Sequence, residues 1–173
     1  NGLDGLLGPA ERVRDGKFGD AIRFTDNQQT AQVAKNDALV AKADLTVSAW
    51  VYPEDLDVQG ENRVVFTDQY NLDLLLGKGR WDLFAGGGWR GTPANGPVLE
   101  LETWHHIVGT VLTEDQIGSH YVNGERIGTV KLPGDQLDKV TSPLRLGSCC
   151  GLQGFIGRLD DVRIYDRALD EDE

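Results

Sequence analysis

The sequence has no methionine, only two cysteines, and too few basic residues to balance its acids. Each shortage excludes something. The 17 Lys and Arg face 28 Asp and Glu, a formal charge of −11, and phosphate affinity comes largely from Lys and Arg, so no nucleic-acid partner is expected. No apolar run approaches the roughly 20 residues that span a bilayer, so membrane insertion is not expected either. Cys149 and Cys150 are adjacent and build no disulfide framework. None is needed, because a chain of this length buries roughly 70% of its unfolded surface. Helix signals are nearly missing. The one candidate start is the capping-box spacing of Asp170 and Glu173, and the sequence stops before a helix develops. With no methionine and Asn1 at its head, the chain reads as a single domain, residues 1–173, cut from a longer exported protein whose neighbouring domains are partners.

What is present is glycine, 22 residues of it, punctuating short alternating segments. Leu45, Val47, Ala49 and Val51 alternate with Thr46, Ser48, Trp50 and Tyr52 until Pro53, the pattern of a strand with one face buried. Leu72 to Leu76 and Trp81 to Ala85 flank Gly77-Lys78-Gly79 as a hairpin. Trp104 to Val111 forms another strand. Ile117 to Val122 and Glu125 to Val130 flank Asn123-Gly124, two residues that tolerate the positive φ of a type I′ turn. With Pro143 to Gly147 and Phe155 to Tyr165 the set reaches roughly ten short strands, spaced as in a sandwich and not as in βαβ units.

Six strings in order, GKFGDAIRF (16–24), DLTVSAWVYP (44–53), WHHIVGTV (104–111), HYVNGERIGT (120–129), PLRLG (143–147) and GRLDDVRIYDRAL (157–169), resemble laminin-G-like domains of the concanavalin A-like lectin/glucanase class. The opening Asn1-Gly2-Leu3-Asp4-Gly5 is similar to that family's first turn. The resemblance implies an all-β, two-sheet antiparallel jelly-roll sandwich. It also implies a module that is usually not an enzyme, sits outside the cell, binds carbohydrate or protein, and often holds a structural calcium ion. After Phe24 the chain departs from the family pattern, with Thr25-Asp26 and Gln29-Thr30 where Asp-Gly and Asp-Tyr are usual.

Catalysis finds little support in the residues. Glycosidases need two carboxylates across the scissile bond. Glu100 and Glu102 have strand spacing, but they read as the polar face of a strand between Leu99, Leu101 and Trp104. His105 and His106 point to opposite faces of a strand and cannot readily share an ion, so packing and hydrogen bonding are expected. Ser119 and His120 lack a third residue to orient the imidazole. The glycines from Gly86 to Gly91 lack the Lys-Ser/Thr of a phosphate loop.

Calcium takes six to eight oxygens, which acidic loops supply. By the resemblance, Asp160 is the first candidate ligand and Asp26 its N-terminal partner; alternatively Asp160 accepts backbone amides near the chain ends and needs no ion. Trp50 and Trp104 match strand positions, so both are expected to pack. Trp89 stands in Gly86-Gly87-Gly88-Trp89-Arg90-Gly91, where glycines cannot cover it. An exposed indole there marks either ligand contact, with Arg90 bonding hydroxyls or an acid, or a lid over a sheet edge. Trp81 and Tyr70 are further ligand-contact candidates. Cys149-Cys150 closes on itself only as a strained ring that constrains no chain loop. In an exported protein such a vicinal disulfide forms an apolar contact platform beside Phe155, and free thiols or bridges to another chain are the alternatives. The functional expectation is a carbohydrate-binding or adhesion module for a polysaccharide or glycoconjugate, with a protein-interaction or spacer domain as the competing class.

Overall fold

The computed structural model describes residues 5–34, 44–56, 61–66, 72–77, 80–85, 88–90, 97–131, 143–148 and 154–173, with the backbone alone for 61–63, 66, 72–77, 80–85 and 88–90. Among these residues the chain forms fourteen strands and no helix: β1 (Gly5–Leu6), β2 (Glu11–Val13), β3 (Ala21–Phe24), β4 (Ala31–Val33), β5 (Leu45–Asp55), β6 (Glu61–Phe66), β7 (Leu72–Gly77), β8 (Arg80–Ala85), β9 (Gly88–Arg90), β10 (His105–Leu112), β11 (Ile117–Val122), β12 (Glu125–Lys131), β13 (Leu144–Leu146) and β14 (Ile156–Tyr165). They make two antiparallel sheets, in the orders β1-β4-β13-β6-β7-β8-β9 and β12-β11-β10-β5-β14-β3-β2. This is the expected concanavalin A-like sandwich. The reading of roughly ten strands missed several two- and three-residue ones, too short to carry a period.

The core follows from alternation. Val47, Ala49 and Val51 of β5, Ile107 and Val111 of β10, Phe24 of β3 and Leu159 of β14 turn inward from one sheet. They meet Val64 and Val65 of β6, Leu144 and Leu146 of β13 and Ala31 of β4 from the other. The sheets meet closely at Gly147, where φ is 89° and an added Cβ would lie 2.3 Å from Phe24 Cε1. At the β11–β12 hairpin Asn123 and Gly124 have φ of 52° and 84°, positive at both positions as the Asn-Gly pair requires.

Strand β14 is the second sheet's central late addition, lying between β5 and β3. Its register against β5 slips twice, between Ile156 and Gly157 and again further on: Asp160 pairs with Trp50 and Arg163 with Ser48, so three steps on β14 match two on β5. Asp161, the residue at the second slip, has φ 47°, a left-handed conformation uncommon for a residue with a side chain. A bulge of this kind re-aims a side chain, and here it sets up the site.

Candidate functional site

Because β5 buries its odd-numbered side chains, Thr46, Ser48 and Trp50 face away from the core. Directly across the strand boundary His106 pairs with Trp50 and Val108 with Ser48 on β10, while Arg163 and Tyr165 flank Ser48 and Thr46 on β14. This outer face holds a groove of about 350 Å³. Its floor is Trp50, Ser48, His106, Val108, Thr110 and Tyr121; one wall is Asp161, Arg163 and Tyr165; Phe18 closes one end and Leu169, Asp170, Glu171 and Glu173 the other.

The aromatic groups are locked to each other. Trp50 stacks on His106 with centroids 5.0 Å apart and planes 21° from parallel. Phe18 meets Trp50 edge-on at 5.7 Å and 86°, and Lys17 Nζ lies 4.2 Å over the indole. Burial lowers the His106 pKa, with Asp161 opposing and Arg163 reinforcing that shift, so the ring under Trp50 is a neutral imidazole at neutral pH. Phe18 is 65% exposed, an apolar ring presented to solvent at the mouth of the groove.

Charge in the groove is arranged in pairs. Arg163 Nε donates to Asp161 Oδ1 at 2.8 Å and Nη1 lies 3.5 Å from Tyr165 Oη; these contacts raise the guanidinium pKa. Arg167 donates through both terminal nitrogens to Glu173 at 2.5 Å, and holds that carboxyl down to about 2. Arg126 pairs with Glu171 at 2.8 Å. The closing segment is also tied to β5, where Thr46 Oγ1 donates to Arg167 O at 2.9 Å and accepts from Leu169 N at 3.0 Å. At Asp170 the expected capping box is realised without a helix: its N–H donates to Glu173 Oε2 at 3.3 Å, and its Oδ1 accepts from Asp172 N at 3.0 Å.

Asp160 supports the other end. Its Oδ2 accepts the Phe18 amide at 2.8 Å and its Oδ1 accepts the Asp161 amide at 2.7 Å. The Lys17-Phe18 turn is closed by Gly16 N donating to Gly19 O at 2.8 Å. A Cβ on Gly16 would meet Asp160 Oδ2 at 2.8 Å, so the close approach needs glycine there. Both oxygens of Asp160 therefore accept backbone amides. Asp26 lies elsewhere. The β3–β14 register sets Ile22 opposite Leu159, and Asp26 follows the end of β3 at Phe24. Its Oδ1 caps a turn by accepting Gln28 N at 2.7 Å. Asp160 and Asp26 thus each hydrogen-bond a turn of their own. No group of three or more His, Cys, Asp or Glu side chains converges as a metal site among the described residues.

Other expected residues distribute as follows. Trp104 packs beside Tyr52, with centroids 5.3 Å apart, whereas Trp50, expected to pack in the same way, faces outward and forms the floor of the groove. His105 is buried, with Nε2 3.0 Å from Glu100 O. Glu100 and Glu102 are exposed and precede β10 in a turn, Glu102 at φ 54°, and not on the strand face expected for them. Ser119 and His120 are both buried, as neighbours on β11. Trp81 lies on β8 opposite Leu76, and Trp89 and Arg90 on the edge strand β9 opposite Phe84 and Leu83; their side chains are outside the described set. Tyr70, Cys149 and Cys150 are outside the described residues altogether. The groove residues missed at the sequence level had one visible signal: Trp50 occupies the polar phase of an otherwise regular alternation.

Two seven-stranded antiparallel sheets packed face to face define a β-sandwich class of domain. The chain belongs to the concanavalin A-like lectin/glucanases superfamily, whose laminin-G-type family model matches residues 25–173. No curated protein matches it. Among solved structures it is similar to domain 4 of AbnA, a GH43 extracellular arabinanase from Geobacillus stearothermophilus in complex with arabinotriose. That likeness has a TM-score of 0.75 and 22% identity, covering 98% of this chain and 84% of that one. It is also similar to the binding domain of Paraclostridial Mosquitocidal Protein 1, with TM-score 0.69, 23% identity, and coverage of 98% and 45%. A third similar structure is Trypanosoma rangeli sialidase in complex with sialic acid, with TM-score 0.74, 21% identity, and coverage of 98% and 28%. The chain spans less than half the length of the last two, and at these identities the likeness is one of fold.

Proposed function

We propose that this domain is a non-catalytic carbohydrate-binding module of an exported protein, and that the groove over Trp50 is its binding face. The observation that carries the reading is the aromatic floor and end wall. Trp50, Tyr121, Tyr165 and the exposed Phe18 line a groove together with polar Ser48, Thr110, Asp161 and Arg163. Sugar rings offer apolar C–H faces to aromatics and hydroxyls to such polar groups. The arabinotriose complex of the AbnA domain supports a saccharide ligand, and the extracellular origin of that arabinanase supports an exported location. Catalysis is disfavoured by the state of the groove acids. Glu173, held down to about 2 by Arg167, is no proton donor at neutral pH, and Asp161 is engaged by Arg163. We read Asp160 as the carboxylate that builds the Phe18 turn, accepting the Phe18 and Asp161 amides.

The test is Trp50→Ala in isothermal titration against oligosaccharides, with circular dichroism confirming the fold. Affinity is expected to fall about tenfold or more, ~1.4 kcal/mol. A second reading takes the sequence-level candidates Trp81, Trp89, Arg90, Tyr70 and a vicinal Cys149–Cys150 disulfide as the contact surface, with Trp89 and Arg90 on the edge strand β9. Loss of binding in Trp89→Ala but not in Trp50→Ala would move the site there. Silence across neutral, acidic and sulfated polysaccharides would favour the protein-interaction or spacer reading.

A further inference from the structure

Resting on the carbohydrate-binding reading, the geometry points to neutral saccharides as the substrate class of the groove, with uronic, sialic and sulfated sugars rejected. We infer this from how the charges are committed. Three guanidinium groups lie at or beside the groove, and each is already engaged by a carboxylate: Arg163 by Asp161, Arg167 by Glu173, Arg126 by Glu171. An anionic ligand would have to break one of these pairs to gain a partner, releasing a carboxylate into the same space. It would also lie among Asp161, Asp170, Glu171 and Glu173, four acids that line the groove. Lys17 brings one more cation near, but its ammonium sits 4.2 Å over the Trp50 ring that the saccharide would stack on. A stacking ligand displaces that exposed side chain and does not gain an ion pair from it. Hydroxyl groups meet no such obstacle. The paired carboxylates keep lone pairs to accept them, and Tyr165, Tyr121, Ser48 and Thr110 offer hydroxyl donors.

Salt dependence separates attraction from rejection, because it screens both but with opposite effects on affinity. The experiment titrates the domain with neutral arabino-, xylo- and gluco-oligosaccharides and with oligogalacturonate and sulfated oligosaccharides, at low and high sodium chloride, for wild type and Trp50→Ala. The expected result is Trp50-dependent binding of a neutral oligosaccharide that salt hardly changes, with acidic counterparts at least about tenfold weaker at low salt and gaining as salt rises. Trp50-dependent binding of an acidic oligosaccharide that weakens with salt overturns the assignment to neutral sugars but leaves the binding face standing. Binding that ignores Trp50, or none to any probe, overturns both.

Discussion

Removing the Asp160 side chain tests the idea that one carboxylate, and no metal ion, holds the end of the groove. In Asp160→Ala two hydrogen bonds disappear, from the Phe18 amide at 2.8 Å and the Asp161 amide at 2.7 Å. Hydrogen bonds to a charged acceptor contribute about 1.5–3 kcal/mol each. Water re-solvates the exposed Phe18 amide, so the loss is nearer the lower end, about 2–3 kcal/mol in all. A second effect acts at Asp161, whose left-handed φ of 47° is supported by the bond from its own amide. For a domain of this size each kcal/mol moves the melting temperature by roughly 2–4 °C, so the expected drop is about 5–10 °C. Differential scanning calorimetry measures it, with wild type run in EDTA and in millimolar calcium alongside. The wild-type melting temperature should be the same in both. A variant that melts with wild type, or a wild type that loses several degrees in EDTA, refutes the reasoning, the second outcome by showing that Asp160 serves an ion.

Other expectations concern the core, the closing segment and a buried histidine. Gly147→Ala puts a methyl 2.3 Å from Phe24 Cε1 at φ 89°, and should cost about 2–4 kcal/mol, read as a shifted urea midpoint with unchanged slope. Glu173 titrates at about 2 and not 4.5 because of Arg167. Its contribution is therefore complete above about pH 4.5 and lost as pH falls through 2. Amide NMR shifts of Asp170 and Glu173 should follow that window, and Glu173→Gln should speed tryptic cleavage after Arg167 at pH 8. Fully buried His120 has its pKa lowered from 6.5 to about 4 by desolvation. The unfolded chain takes this proton first, so stability is full above pH 6.5 and declines toward pH 4 by about 3 kcal/mol. Urea titrations at pH 7 and pH 4.5 should show that acid loss in wild type, and His120→Leu should reduce it.

Where the sequence carries a local period or a turn pair, the fold was readable: β5 by its even alternation, β11 and β12 by the Asn123-Gly124 turn between them. Strands of two or three residues such as β1, β4 and β9 have no period to read and exist because longer neighbours offer them an edge. The groove was harder. Leu159-Asp160-Asp161-Val162 contains no glycine or proline to announce a bulge, so the re-aiming of Asp161 emerges only from pairing with β5. The Phe18 amide and the Asp160 carboxylate are 142 residues apart, a separation that no short motif bridges. The stack of Trp50 on His106 was within reach, since an indole on the polar phase of a strand signals a built surface. The competing expectation is a core position, because a tryptophan in a strand motif usually packs inward.

The placement of β14 also has a consequence in time. With β5 on one side and β3 on the other, it is the strip that joins β2-β3 to β5-β10-β11-β12. While a ribosome is still making residues 156–165, the second sheet exists at best as two separate pieces with open edges. Loops of such length close slowly, and chains dominated by non-local pairing fold in milliseconds to seconds. The groove needs Asp161, Arg163 and Tyr165 from this same strand, so the groove and the sheet are completed in a single late event. A half-made domain is then a species with unpaired strand edges, the stage at which edge-to-edge association competes with folding.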